Sequence, residues 1–150
     1  MRVVVQRVTR AHVEIEGSIY SQIGQGLCVF LGIERNAKRD DLSWLVNKII
    51  QLRIFSDEEG KMNRSLLDID GDILLISQFT LHASTKKGNR PSFIDAETPD
   101  SAQEIYNAFI IEIEKKLGKP VCTGVFGADM KVSLVNDGPV TIIIDTEYKW

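Results

Sequence analysis

Gly71-Asp72-Ile73-Leu74-Leu75-Ile76-Ser77-Gln78-Phe79-Thr80-Leu81 is the stretch whose reading decides the fold of this 150-residue chain. Its apolar half has no helical spacing and reads as a buried strand, one that turns polar toward its C-terminal end. A second run, Leu27-Cys28-Val29-Phe30-Leu31-Gly32-Ile33, is apolar on both faces, as expected of a strand covered on both sides. Upstream, Val3, Val5 and Arg7 alternate with Val4, Gln6 and Val8, and Val13 and Ile15 share one face of His12 to Glu16. Gly17-Ser18 and Gly24-Gln25-Gly26 supply turns.

Two helices flank the central stretch. Leu42, Leu45, Val46, Ile49 and Ile50 form one apolar stripe after the polar segment Asn36 to Asp41. The second helix has Thr98 as N-cap candidate, Pro99 at its first position, a stripe of Ala102, Ile105, Phe109 and Ile113, and a stop at Gly118 with Pro120 beyond. Ile54-Phe55 reads as a short strand. Two last strands, Met130 to Val135 and Val140 to Asp145, are separated by Asn136-Asp137-Gly138-Pro139. The order predicts an α/β fold: one domain, 1–150, with a mixed sheet packed by two main helices.

Composition bounds the rest. With 43% hydrophobic and 26% charged residues the chain is expected to be a globular domain. A chain of this length buries about 70% of its extended surface. The longest strictly apolar run, Leu27 to Leu31, is five residues, whereas a membrane helix needs about 20. The opening Met1-Arg2-Val3-Val4-Val5-Gln6-Arg7 is not a signal-peptide core. Cys28 and Cys122 read as reduced core residues, so a cytoplasmic protein without membrane contact is expected. Lys and Arg number 18 against 21 Asp and Glu, a net charge of −3. That balance excludes a general nucleic-acid coat, which needs a basic surface; a local basic patch gripping one polynucleotide end remains compatible with it.

Common catalytic motifs are absent: no Gly-x-Gly-x-x-Gly, no Walker loop, no Gly-x-Ser-x-Gly elbow and no Cys-x-x-Cys. With His12 and His82 the only histidines, a three-histidine zinc site is impossible; no metal or cofactor is expected. Three segments carry the remaining chemistry. In an extended Ser77-Gln78-Phe79-Thr80-Leu81-His82, side chains of Gln78, Thr80 and His82 would share one face. Polar groups at the end of a buried strand mark sites in such folds, although they also cap strands. His82 reads as a surface residue, since no third group is visible to orient it as a base for Thr80. Lys86-Lys87-Gly88-Asn89-Arg90-Pro91-Ser92-Phe93 carries three positive charges and no acid; it fits a phosphate grip with Phe93 offered to a base, or a solvated loop. Asn136-Asp137-Gly138-Pro139-Val140-Thr141 reads most simply as a hairpin turn.

Together these segments resemble the D-aminoacyl-tRNA deacylases. The likeness is carried by Met1 to Val8, Ser77-Gln78-Phe79-Thr80-Leu81, the Lys86-to-Phe93 loop, Gly124-Val125-Phe126-Gly127-Ala128-Asp129-Met130 and Asn136 to Thr141, over essentially the whole chain. The resemblance implies an editing hydrolase that cleaves the ester of D-aminoacyl-tRNA, and of glycine on alanine tRNA. It implies a homodimer in which a cis Gly138-Pro139 of one subunit enters the partner's pocket and excludes any L side chain. Arg7 is then the brace of that motif, and Phe126 and Met130 line the pocket. Ser77, Gln78, Phe79 and Thr80 form the catalytic segment, and Lys86, Lys87 and Arg90 meet the tRNA phosphates. Thr80 as nucleophile needs an adjacent base; the resemblance favours assistance by the 2′-hydroxyl of the terminal ribose, with the protein supplying position and backbone donors. The rival from another class is a non-catalytic dimer holding a small ligand at the polar strand end.

Overall fold

The computed structural model describes residues 1–149. A 14-residue strand, β1 (Arg2–Ile15), is the spine of the sheet. It is followed by β2 (Ser18–Ile23), β3 (Gly26–Gly32), α1 (Asp40–Gln51), β4 (Phe55–Ser56), β5 (Met62–Arg64), β6 (Asp72–Ser77), α2 (Pro99–Leu117), β7 (Cys122–Thr123) and β8 (Lys131–Asp145). On one side β1 pairs antiparallel with β8 along nearly its full length, from Arg2↔Asp145 to Glu14↔Lys131. On the other side its first half pairs with β3 and its second half with β2, both antiparallel. β3 and β6 run parallel, as do β6 and β7, so the sheet is mixed, in the order β2-β1-β3-β6-β7 with β8 also on β1.

The sheet curls on itself. Ser21 Oγ of β2 donates to the Thr123 carbonyl of β7 at 2.6 Å, which joins the two ends of the order and makes the sheet nearly barrel-shaped. Curling creates two apolar clusters. One lies between the sheet and the helices, and joins Val3, Val5, Leu27, Val29, Leu31, Ile73 and Leu75 to the buried faces of α1 and α2. The other lies inside the curl: Val8, Ala11, Val13, Ile23, Cys28, Leu74 and Ile76. The α1 stripe buries all five residues expected of it; at about 1.5–3 kcal/mol for each fully buried aliphatic side chain, it outweighs any propensity effect. The α2 stripe is buried too, with Tyr106 added. Gly118 ends α2 in the left-handed region at φ 72°, and Pro99 stands at its start. Thr98 occupies the cap position without a side-chain cap bond.

Three expectations are corrected. The last two strands are one, because residues on both sides of Asn136–Thr141 pair with the same β1: Gln6 faces Thr141 and Val8 faces Asn136. The residues between them form a bulge opposite Arg7 instead of reversing the chain. Turn-forming residues serve an outpocketing as well as a hairpin, and only the partner strand distinguishes them. Cys122 is half-buried at the sheet edge, unlike Cys28, which is buried. The short strand after α1 is Phe55–Ser56, paired with a Met62–Arg64 strand that carries no apolar signal. Among the described residues no helix is long and apolar enough to cross a membrane.

Candidate active site

Ser77 is the last residue of β6 and pairs with Leu31 of β3. The Gln78 N–H donates the final bond to the Leu31 carbonyl at 2.8 Å. Phe79–His82 then form one 3-10 turn, in which Leu81 N–H reaches the Gln78 carbonyl at 3.3 Å and Ala83 N–H the Thr80 carbonyl at 3.0 Å. The extended alternation expected beyond Ser77 is therefore not formed. The turn folds back over Gly32, where a Cβ would lie 2.9 Å from Leu81 Cβ and 3.0 Å from both the Gln78 carbonyl and His82 Cδ2. A glycine at the end of β3 is what makes room for it.

Gln78 and Thr80 still meet, with Gln78 Nε2 donating to Thr80 Oγ1 at 2.5 Å. That partner is a donor, not a base. His82 is buried, contrary to the surface position expected, and points away from such a role: its Nδ1 lies 4.0 Å from Glu34 Oε2, and its Nε2 is the buried side-chain atom without a hydrogen-bond partner among the described residues. Burial holds the His82 pKa below its ordinary value, against the opposing pull of the Gly32 carbonyl and Glu34.

Phe79 is 58% exposed and meets Phe93 edge to face, ring centres 5.1 Å apart. Phe93 arrives from the basic loop, whose stem is closed by paired backbone bonds between Ser84 and Ser92 at 2.8 and 2.9 Å. Lys86, Lys87 and Arg90 are exposed at its tip and have no ion pair among the described residues. The loop Gly124 to Met130 approaches from the other side. Phe126 packs on Tyr106, centres 5.8 Å apart, and Tyr106 Oη donates to the Leu75 carbonyl at 2.8 Å; burial raises the Tyr106 pKa. Met130 packs into the cluster that contains Ile76. Ser77, Gln78, Phe79, Thr80, Phe126 and Met130 thus gather at the C-terminal end of β6, with the basic loop as their flank.

Arg7, Gly138 and Pro139 do not join them. The Gly138–Pro139 bond is cis and Gly138 has φ 128°, and both residues are exposed on the bulge. Arg7, only 8% exposed, donates from Nε to the Asp137 carbonyl at 3.1 Å, pairs with the Asp137 carboxylate at 3.1 Å, and donates from Nη1 to the Ile54 carbonyl. A Cβ on Gly138 would stand 2.9 Å from Val140 Cγ2 and 3.0 Å from Arg7 Nη2. Ser77 is level with Leu31, whereas the bulge lies opposite Arg7, which pairs with Leu27. At ~3.3 Å per residue along the strands and ~4.8 Å between them, the two motifs of one chain are separated by roughly 20 Å measured along the sheet.

One carboxylate group could hold a cation: Glu34, Asp145 and Glu147 have oxygens within 4.8 Å of one another. Glu34 already accepts from the Met1 ammonium at 2.8 Å, and Asp145 pairs with Arg2 at 2.7 Å. Two of the three carboxylates are thus paired within the protein.

A family model described as D-Tyr-tRNA(Tyr) deacylase matches residues 4–145. The chain belongs to this family. It is 58% identical to the D-aminoacyl-tRNA deacylase of Parabacteroides distasonis, with 99% of each chain covered. Its identity to the protein of that name from Flavobacterium johnsoniae is 55%, with 98% of each covered. A solved structure titled c-Myc DNA Unwinding Element Binding Protein superposes with a TM-score of 0.92 at 44% identity, covering 97% of this chain and 98% of that one. A probable eukaryotic D-amino acid tRNA deacylase shares the fold, with a TM-score of 0.81 at 20% identity over 95% of this chain and 97% of that one. Tyr106 and Gly32, which support the site from beneath, escaped the sequence reading: one lies in an ordinary helical stripe, the other at the end of an apolar run.

Proposed function

We propose that the chain hydrolyses the ester between a D-amino acid, or glycine, and the terminal adenosine of tRNA, as a homodimer in which each Gly138-Pro139 bulge serves the partner's pocket. One observation carries this reading: the bulge is exposed, braced by Arg7, and lies three strands and about four residues along the sheet, roughly 20 Å of it, from the polar strand end of its own chain. A single copy has a pocket without a wall and a wall without a pocket; two copies complete both. A main-chain wall rejects an L side chain by clash, and glycine passes because it has none.

Thr80 holds the ester in line and is not the nucleophile. Its hydroxyl accepts from Gln78, and among the described residues no base is hydrogen-bonded to it, so an attack through Oγ1 lacks the activation such groups need. The 2′-hydroxyl of the terminal ribose assists water instead, while backbone N–H groups at the start of the Phe79–His82 turn, not consumed by its own carbonyls, face the developing oxyanion. Lys86, Lys87 and Arg90 meet the phosphates of the acceptor end. The chain works in the cytoplasm, where aminoacyl-tRNA is made and used.

Hydrolysis of D-tyrosyl-tRNA and glycyl-tRNA, with L-tyrosyl-tRNA spared, is the expected result; a protein that cleaves neither D nor glycyl ester is not this enzyme. Thr80→Ala lowers kcat by less than about tenfold, against the 10³-fold or more lost with a nucleophile. A tRNA ending in 2′-deoxyadenosine is cleaved far more slowly; an unchanged rate would refute the role of the ribose.

A further inference from the structure

The turn that carries Thr80 ends against a polar cleft of about 810 Å³, built from the end of β3, the start of the basic loop and the segment after β8. This is the size of a small-molecule site, and neither Phe126 nor Met130 lines it. Its charges divide into two sets. Arg2 is engaged, with Nε on Asp145 at 2.7 Å and Nη1 on the Leu81 carbonyl at 2.8 Å. Glu34 is engaged by the Met1 ammonium at 2.8 Å. Arg35 and Lys86, by contrast, line the cleft with exposed side chains that make no ion pair among the described residues. Asp95 and Glu147 line it as exposed acceptors, and Tyr148, 57% exposed, offers a ring at the rim.

A simple anion would meet Asp95 and Glu147, and a simple cation would meet Arg35 and Lys86. A ligand that meets Arg35 and Lys86 as well as Asp95 and Glu147 carries an anionic group at one end and amine donors at the other. A cytidine nucleotide does so: its phosphate suits Arg35 and Lys86, its exocyclic amine donates to a carboxylate, and its base stacks on an aromatic ring. Resting on the deacylase reading above, we propose that this cleft seats the cytidine that precedes the terminal adenosine of tRNA, with Arg35 as a phosphate contact that composition and motif do not reveal. The Phe79–His82 turn joins the two subsites, with Thr80 in one and His82 in the wall of the other. The single-stranded end would therefore cross the turn, one nucleotide on each side.

The test uses D-tyrosyl esters of adenosine, of the cytidyl-cytidyl-adenosine trinucleotide and of whole tRNA, with the full-length protein. For the wild type, KM falls from adenosine to trinucleotide. Arg35→Ala removes about tenfold of that gain through KM and lowers the slope of log(kcat/KM) against log salt by about 0.7, the value for one single-strand phosphate contact. Arg35→Lys restores most of it. Uridine in place of the penultimate cytidine weakens the wild type several-fold, and Asp95→Asn with Glu147→Gln erases that preference. An Arg35→Ala effect equal on adenosine and trinucleotide esters, or absent on both, overturns the proposal. Binding of the fluorescently labelled, unacylated trinucleotide separates the two readings. If no D ester is hydrolysed, the deacylase reading fails, yet a roughly tenfold weaker Kd for Arg35→Ala still supports the cleft; equal Kd values refute it.

Discussion

Arg7 offers the sharpest test of how the bulge is held. Arg7→Met keeps the aliphatic stem and deletes every donor. The Ile54 carbonyl, which is buried, and the Asp137 carbonyl, partly buried, then lose their partner. Each unpaired acceptor costs about 1–3 kcal/mol. The ion pair to the Asp137 carboxylate adds little, because that side chain is 42% exposed and such pairs contribute about 0–1 kcal/mol. The expected loss is about 2–7 kcal/mol, a large part of the stability of an ordinary domain, and at ~2–4 °C per kcal/mol it lowers Tm by roughly 4–28 °C. Circular dichroism melts measure this directly. Arg7→Lys recovers less than half, since one ammonium on a flexible stem does not reproduce the fork that serves both Asp137 and Ile54. In the same preparations the preference for D over L tyrosyl esters narrows below the melting transition, because the wall is no longer fixed. An Arg7→Met protein with wild-type Tm and an intact D-to-L ratio would refute the brace.

Three further outcomes follow from other parts of the fold. Gly26→Ala destabilises by about 3 kcal/mol or more, because its Cβ would overlap the Asp72 backbone between two parallel strands; an unmoved urea midpoint counts against that packing. Burial of His82, faced by Glu34, Arg2 and the Met1 ammonium, depresses its pKa from 6.5. The unfolded chain therefore binds the proton more readily, stability is complete above about pH 6.5, and it is lost as pH falls through the lowered folded value. His82→Gln flattens that acid slope in Tm-against-pH curves, and a slope identical to wild type refutes the assignment. Burial pushes the Cys28 thiol up to about 12. Iodoacetamide at pH 8 therefore labels half-buried Cys122 first and reaches Cys28 only on unfolding; mass spectrometry of native protein with Cys28 labelled alongside would contradict this.

What was legible in the sequence depended on range. The stripes of α1 and α2, and the strands around Leu27 and Ile73, were readable because each announces itself within a dozen residues and buries what its pattern says. The path beyond Ser77 was not, because it is set by Gly32, some 45 residues earlier in the chain, whose missing side chain lets the turn lie across β3. The bulge at Gly138 carried every local sign of a hairpin, and only its pairing with β1 on both flanks says otherwise. The candidate site was legible as three polar segments, yet their grouping was not: two gather at the end of β6, and the third stands at the far end of the sheet. Arg35 left no trace in the sequence because it lies in no motif; its meaning comes from the cleft it lines.

The pairing of β1 with β8 has a consequence for the birth of the molecule. Arg2 finds its ladder partner at Asp145, and their side chains meet across 143 positions. A ribosome adding ~5–20 residues per second exposes the first strand for roughly 7–30 s before the last one emerges. Until then an apolar ribbon stands with one flank open, a state prone to wrong unions. Closure of the whole sheet is thus deferred to the final moments of translation, and the speed of elongation, more than any local propensity, sets how long that flank stays open.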